Sequence, residues 1–335
     1  MTSVLESLNS GLRRCLEQSS QVYLLGEDLL DPYGGAFKVT RGLSSEYPER
    51  VLTTPVSEAG IVGVGVGMAM RGYLPVVEIM FGDFLTLAAD QILNHAAKFR
   101  WISGGEVKVP IVIRSPMGGR RGYGPTHSQT LEKHFLGMPG LRTLAINAVG
   151  DPGKVIQAAV LDDVEPVLLI ENKVLYAQEL LDPKAHSEFT VESQGSPYPE
   201  YRVAIKGAPA PVMTMLAYGH MAELARQAML QLAYEQEIFT ELIVPTQISP
   251  FELRNATEHA QATGRLLVLE EGTKTLGYGA EVVARLQSEM DHAIQCRRVA
   301  ALDMPVPAAG QLENKMLPQV EDVVSAAREL LRRHA

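Results

Sequence analysis

Cysteine is nearly absent from this chain: Cys15 and Cys296 are the only two in 335 residues. Thiols therefore cannot build a disulfide framework or a zinc site, and a reducing compartment, the cytoplasm, is expected. A basic excess is also missing. The net charge is -9, which argues against nucleic acid as a partner. The one basic cluster, Arg328 with Arg332-Arg333, reads as the cationic end of a helix. The N-terminus Met1-Thr2-Ser3-Val4-Leu5-Glu6 has neither the basic region nor the apolar core of a signal peptide. The most apolar stretch, Ala59 to Met70, is far too short to span a bilayer, so no membrane association is expected. A Gly-Lys-Ser/Thr phosphate loop is lacking, which excludes the common ATPase pattern, and no Gly-x-Ser-x-Gly elbow marks a hydrolase. Tandem repeats and long low-complexity tracts are absent too.

What remains is a hydrophobic content of 46% with 21% charged residues, the balance of a well-packed soluble protein. The length exceeds one ordinary core and predicts two domains. Val4, Leu5, Leu8, Leu12, Cys15 and Leu16 recur at helical spacing, and Val22 to Leu25 then reads as a buried strand. Strands are expected at 75–79, 110–114, 141–146 and 166–170, with a long helix from Asp83 to Trp101 and another over 151–162. This alternation predicts an α/β domain over 1–181. Periodicity fails over 182–201, where Pro183, Gly195, Pro197 and Pro199 suggest a linker. Alternation resumes in a second α/β domain, 202–335, with strands at 212–216, 238–244, 265–269 and 294–302. Helices are expected there over 221–234, 250–262, 280–290 and 320–333.

The chain is organised around Thr54-Pro55-Val56-Ser57-Glu58-Ala59-Gly60, which sets a lone carboxylate between a short extended run and a small-residue apolar helix. Free N–H groups and the helix dipole hold an anion there while apolar neighbours exclude water. Spacing alone leaves two readings for Glu58, a first-turn cap or a proton-transfer group. Gly63, Gly65 and Gly67 lie inside the helix rather than in a strand-to-helix turn, so close packing explains them better than a dinucleotide site. His127 closes a loop containing Gly118, Gly119, Gly122 and Gly124. Glycines let such a backbone approach a ligand, and a histidine there either exchanges protons near neutral pH or is structural. Phe84 reads by default as a core aromatic.

Taken together, the segments resemble the β subunit of a thiamine-diphosphate-dependent 2-oxo acid dehydrogenase E1 component, in the transketolase-like superfamily. The resemblance covers nearly the whole chain. Its carriers include Gly26-Glu27-Asp28, Gly35-Ala36-Phe37-Lys38-Val39-Thr40, the Glu58 stretch, Asp90-Gln91-Ile92, His127-Ser128-Gln129, Pro139-Gly140-Leu141, Glu270-Glu271-Gly272 and Asp303-Met304-Pro305-Val306-Pro307. It implies a pyrimidine-binding α/β domain followed by a transketolase C-terminal-like α/β domain, each a mostly parallel sheet flanked by helices. By the same resemblance, Glu58 matches the glutamate on N1′ of the cofactor's aminopyrimidine, Phe84 the aromatic stacked on that ring, and His127 a histidine near the reacting carbon. Carbonyls near Ile111, Ala159 and Asp162 match a structural potassium site of some relatives.

In this superfamily Gly-Asp-Gly and a following asparagine hold the magnesium and the diphosphate. No Gly-Asp-Gly occurs here; Gly82-Asp83-Phe84 and Gly150-Asp151-Pro152 are the nearest matches. That half of the site is expected from an E1 α subunit in an α2β2 heterotetramer. The expected substrate is a small 2-oxo acid, and the expected acceptor a lipoyl group on an E2 acyltransferase. Two departures bear on the substrate and acceptor. Ala145 to Lys154 replaces a Pro-Ser turn and Asp-Ala-Lys helix start, and Val244-Pro245-Thr246-Gln247-Ile248 replaces an Asp-Leu-Arg-Thr-Leu segment. An acyloin-forming or acetoin-cleaving relative, or a catalytically idle interaction subunit, are the alternatives.

Overall fold

The computed structural model of the chain describes residues 2–181, 188–289 and 292–332. Helix α1 (Val4–Gln18) opens with Ser3 and Glu6 capping each other reciprocally, and its apolar stripe packs inward. Strands β1 (Val22–Gly26), β2 (Val51–Thr53), β3 (Leu74–Glu78), β4 (Val112–Met117), β5 (Arg142–Ala145) and β6 (Val167–Asn172) pair in parallel. The helices among them are α2 (Leu43–Glu46), α3 (Glu58–Met70), α4 (Ala97–Ile102) and α5 (Pro152–Leu161). β4 and β6 are buried along their whole lengths, as strands covered on both faces must be.

Helices α1 and α5 pack on one side of this sheet and cross at two glycines. A Cβ on Gly11 would lie 2.5 Å from the Gly153 carbonyl oxygen, and one on Gly153 would lie 2.2 Å from that of Ser7. Within α3, Gly65 has the same role, since a Cβ there would meet Ile111 and Val77 at 2.8 Å. Packing therefore accounts for Gly65. Gly67, by contrast, faces open space, and Val64 and Met70 are exposed, so α3 is buried on one side only within this chain.

The second unit contains β7 (Phe189–Gln194), β8 (Glu200–Ile205), β9 (Thr214–Ala217) and β10 (Glu241–Pro245), followed by β11 (Gln247–Ser249), β12 (Arg265–Thr273) and β13 (Gln295–Ala301). Its helices are α6 (Met221–Gln236), α7 (Arg254–Thr263), α8 (Tyr278–Glu289), α9 (Gly310–Met316) and α10 (Val320–Arg332). The sheet order is β13-β12-β9-β10-β8-β7, parallel from β13 to β10 and antiparallel beyond. β11 leaves this unit and adds antiparallel to β5, completing the seven-stranded order β11-β5-β6-β4-β3-β1-β2. One buried cluster runs through both units, joining Ile92 and Phe135 to Leu216, Ile243 and Tyr278.

Two expectations are corrected. The 182–201 stretch is not a linker throughout: residues 182–187 lie outside the described residues, but Phe189–Gln194 is the edge strand β7, paired with β8 from Phe189↔Ile205 to Gln194↔Glu200. Gly195 (φ +85°), Pro197 and Pro199 form the hairpin turn, and the alternation of Phe189 and Val191 with polar neighbours is too short to stand out against them. The long helix from Asp83 to Trp101 is instead a 3₁₀ segment (Gly82–Ala88), a π turn (Gln91–Ala96) and then α4. Its start is pressed against β4, where a Cβ on Gly82 would lie 2.5 Å from that of Met117. The helices expected over 280–290 and 320–333 are described as far as Glu289 and Arg332; Met290 and Arg333 lie outside the described residues.

Candidate active site

The C-terminal ends of β2, β1, β3, β4 and β6 lie in that spatial order across the first sheet. The segments leaving them carry, in turn, Glu58, Glu27, Asp83 with Phe84, His127 and Lys173. Ligands of open parallel sheets bind in the crevice beyond these strand ends. Glu58 and His127 are thus held on strand lines three spacings apart, roughly 14 Å at about 4.8 Å per strand.

Glu58 is the first residue of α3, behind an N-cap Ser57 whose hydroxyl accepts from the Gly60 N–H at 3.3 Å. Capping is therefore done by Ser57. Glu58 is 7% exposed, and among the described residues its carboxylate forms no hydrogen bond or ion pair. The titratable group beside it is a second acid: burial, and then the Glu58 charge, raise the Glu27 carboxyl above its usual range. A buried carboxylate with no hydrogen-bond or ion-pair partner among the described residues, and with an acid for a neighbour, suits a ligand group that can share a proton or bear positive charge.

On the other side of the crevice Phe84 and His127 meet edge to face, ring centroids 5.2 Å apart at 82°. Phe81 closes the cluster at 4.8 Å from His127 and 5.9 Å from Phe84. The 3₁₀ winding after β3 brings Phe81 and Phe84 to the same histidine, and Phe84 also packs against the buried core. Asp83 lies between them in sequence; its Oδ1 accepts from the Gln129 N–H at 3.2 Å and from the Gln129 amide at 2.8 Å, while its buried Oδ2 has no partner among the described residues. Thr126 Oγ1 is 3.0 Å from His127 Nδ1.

Lys173, 1% exposed at the end of β6, donates to the His127 carbonyl, and its Nζ lies over the rings of Phe81 (5.0 Å) and Tyr123 (5.5 Å). Burial pushes its ammonium down to about 8, against the pull of Asp83 and Glu271. Lys173, Phe81 and Tyr123 were not anticipated from sequence. A lysine directly after the apolar run Val167–Ile170 and Glu171-Asn172 was the available signal. Beneath the crevice the buried Arg114 of β4 pairs with Glu78 of β3 and grips Glu171 of β6 at 2.8 and 2.6 Å, tying the strands on either side.

The residues expected near a potassium ion lie away from this crevice, around β4 and α5. The Ile111 carbonyl accepts from Val167 at 2.9 Å, Ala159 is buried within α5, and Asp162 caps that helix. Among the described residues no group of three His, Cys, Asp or Glu side chains could hold a metal ion. Of the two partial matches to the magnesium motif, Asp151 caps α5, accepting from Gly153 and Lys154 and from the Ser7 hydroxyl at 2.6 Å, and Asp83 is held by Gln129.

Two sheets joined by a crossing strand, with a buried acid and an aromatic-histidine pair at the strand ends, define a transketolase-like class of chain. Residues 2–178 match the transketolase pyrimidine-binding domain, and residues 203–323 the transketolase C-terminal domain. The chain is 35% identical over 329 residues to the mitochondrial pyruvate dehydrogenase E1 component subunit beta-1 of Oryza sativa subsp. japonica, covering 97% of this chain and 86% of that one. It is 34% identical over 329 residues to the pyruvate dehydrogenase E1 component subunit beta of Rhizobium meliloti, covering 97% and 69%. A solved structure described as a split gene transketolase, inactive beta4 tetramer, shares the fold with a TM-score of 0.75 at 20% identity, over 99% of both chains. The chain belongs to the pyruvate dehydrogenase E1 β-subunit family of thiamine-diphosphate-dependent enzymes.

Proposed function

We propose that this chain is the β half of a cytoplasmic, heteromeric enzyme that decarboxylates a 2-oxo acid and passes the acyl unit to a lipoyl group on an E2 acyltransferase. The observation that carries this reading is Glu58, buried at the head of α3 with no hydrogen-bond or ion-pair partner among the described residues and with Glu27 as its neighbour. Thiamine diphosphate, when bound, supplies the carbon nucleophile and the electron sink that decarboxylation requires. In this reading Glu58 holds a proton at N1′ of the aminopyrimidine, Phe84 packs against that ring, and His127 exchanges a proton with the substrate or the acceptor sulfur. Phe81 packs against the histidine ring.

The diphosphate and its Mg2+ are assigned to an α subunit, because no Gly-Asp-Gly occurs in this chain, Asp151 is engaged in capping α5, and Asp83 is tied through Oδ1 to Gln129. An α2β2 assembly is the closed arrangement expected. The exposed face of α3, with Val64 and Gly67, and the exposed Leu87, Trp101 and Ile102 supply apolar surface for such contacts. A K+ ion at the carbonyls of Ile111, Ala159 and Asp162 is retained as part of the proposal. The test is to assemble the chain with its partner and assay a panel of 2-oxo acids with and without a lipoylated carrier. Acyl transfer to the carrier supports the reading; acyloin formation that ignores the carrier would replace it with the carboligase alternative. Calorimetric titration of the isolated chain with cofactor and magnesium adds a second check, since micromolar or tighter binding without a partner contradicts the divided site.

A further inference from the structure

The loop that carries His127 is held less by its own unit than by the second one. Glu313 of α9, itself 2% exposed, accepts from the Arg120 N–H through Oε1 at 2.8 Å and from the Gly122 N–H through Oε2 at 3.2 Å. Glu271, in β12, accepts from the Gly119 N–H at 2.9 Å and from the Asn172 amide at 3.2 Å. Arg120 adds a bond from Nη2 to the Pro318 carbonyl at 2.7 Å. Three loop amides therefore converge on two buried carboxylates from across the interface between units, an anion nest filled from within the protein.

This geometry also revises the reading of the glycines. A Cβ on Gly118 would lie 2.6 Å from Glu271 Oε1, and one on Gly119 would lie 2.5 Å from Leu317 and 3.1 Å from Glu313 Oε1. These two glycines let the backbone approach the second unit's carboxylates, not a cofactor. Arg120, at φ +67°, adopts a left-handed conformation that is rare outside glycine, and the clamp holds it there. Beyond the clamp, the loop continues through Gly124 to His127, whose carbonyl is fixed by Lys173.

We propose that Glu313, with Glu271, is a positioning residue: through the 119–122 backbone the second unit sets where His127 stands relative to Phe84, and so takes part in the reaction as well as in subunit contacts. The proposal rests on the reading of His127 as the group that handles substrate or acceptor protons. A displacement of about 1 Å in such a group costs up to about a hundredfold in rate.

The test compares wild type, Glu313→Ala, Glu313→Gln and His127→Ala, with hydrogen exchange measured on the isolated chain and turnover on the enzyme assembled with its partner. Glu313→Ala is expected to speed exchange at the Arg120 and Gly122 amides by about tenfold or more. It should also lower kcat by about ten- to a hundredfold while cofactor affinity stays within about twofold. Glu313→Gln retains one acceptor oxygen, so one of the two amides should stay protected and kcat should lie between the other two values; this variant also serves if the alanine form does not fold. Unchanged exchange at both amides would overturn the clamp. Fast exchange with wild-type kcat, while His127→Ala is impaired, would overturn the positioning role. A fully active His127→Ala would instead overturn the reading of His127, and the exchange data would still judge the clamp alone.

Discussion

Phe84 and His127, which leave the sheet on two neighbouring strands, meet edge to face at 5.2 Å, and Phe81 touches both. The arrangement confines the imidazole between apolar rings while Lys173 fixes its backbone. Glu58 is three strand lines from His127, and no hydrogen bond or ring contact joins it to either residue. The two sets of groups stand beyond the ends of different strands, so the proposed proton-handling roles can be separated by mutation.

Glu58→Gln, in the assembled enzyme, is expected to lose roughly two to four orders of magnitude in turnover, the span usual for a positioned acid or base. The amide still hydrogen-bonds a ring nitrogen but does not share its proton, so cofactor binding should survive. The isolated chain offers an independent readout. With the Glu58 charge gone, the Glu27 carboxyl should titrate lower, because one cause of its raised value is removed. Wild-type turnover, or a Glu27 midpoint that does not move, would return Glu58 to a purely structural role.

His127→Ala should damage substrate handling or acyl transfer more than cofactor activation. Its motivation is the distance between the two sides of the crevice. Exchange of the cofactor's C2 proton should remain near wild type in this variant while turnover falls by about two orders of magnitude. Slowing of that exchange to the level of Glu58→Gln would show that the two residues do not divide the work.

Much of this was legible in the sequence because it is local. The apolar runs of β1, β3, β4 and β6, and the small-residue helix behind Glu58, carry their periods within a few residues. Glu58, Phe84 and His127 stand out only as parts of ordered motifs, since each alone has a bland explanation. What escaped depends on contacts far along the chain. β7 is a strand because β8 pairs with it, and β11 because it reaches the edge of the other unit's sheet at β5. The 3₁₀ and π turns after β3 accompany the press of Gly82 on Met117, and Lys173 matters because three aromatic or histidine residues from other loops converge on it.

Lys173→Met should change how stability depends on pH. Folding lowers this ammonium from 10.5 to about 8, with burial as the main cause. Between those values the folded chain has released a proton that the unfolded chain retains, so wild-type stability gains as pH rises through this window. The methionine variant lacks that contribution. Its stability relative to wild type should therefore fall by on the order of 3 kcal/mol from pH 8 to pH 10.5. Parallel urea-unfolding curves across the window would mean that Lys173 keeps its ordinary value and that burial is compensated.

Glu132 presents the opposite sign at the junction of the two units. Its Oε1 accepts from the Tyr218 hydroxyl, while its buried Oε2 has no partner among the described residues. Burial raises its carboxyl from 4.5 to about 7, against the opposing effect of the Tyr218 bond. Between those values the folded chain keeps a proton that the unfolded chain has lost; the associated stability is complete below 4.5 and disappears as pH rises through 7. Glu132→Gln preserves an acceptor for Tyr218 and cannot ionise, so it should escape this loss. Wild type should fall relative to the variant by about 3 kcal/mol between pH 4.5 and pH 7.5, the full value of the shift and an upper bound where the site relaxes. Glu200, which burial also raises to about 7, contributes the same trend to both proteins and cancels in the comparison. Denaturant unfolding of the pair across this range decides the matter: a constant difference would mean that Glu132 is ionised in the folded chain at pH 6, with its charge stabilised by groups other than Tyr218.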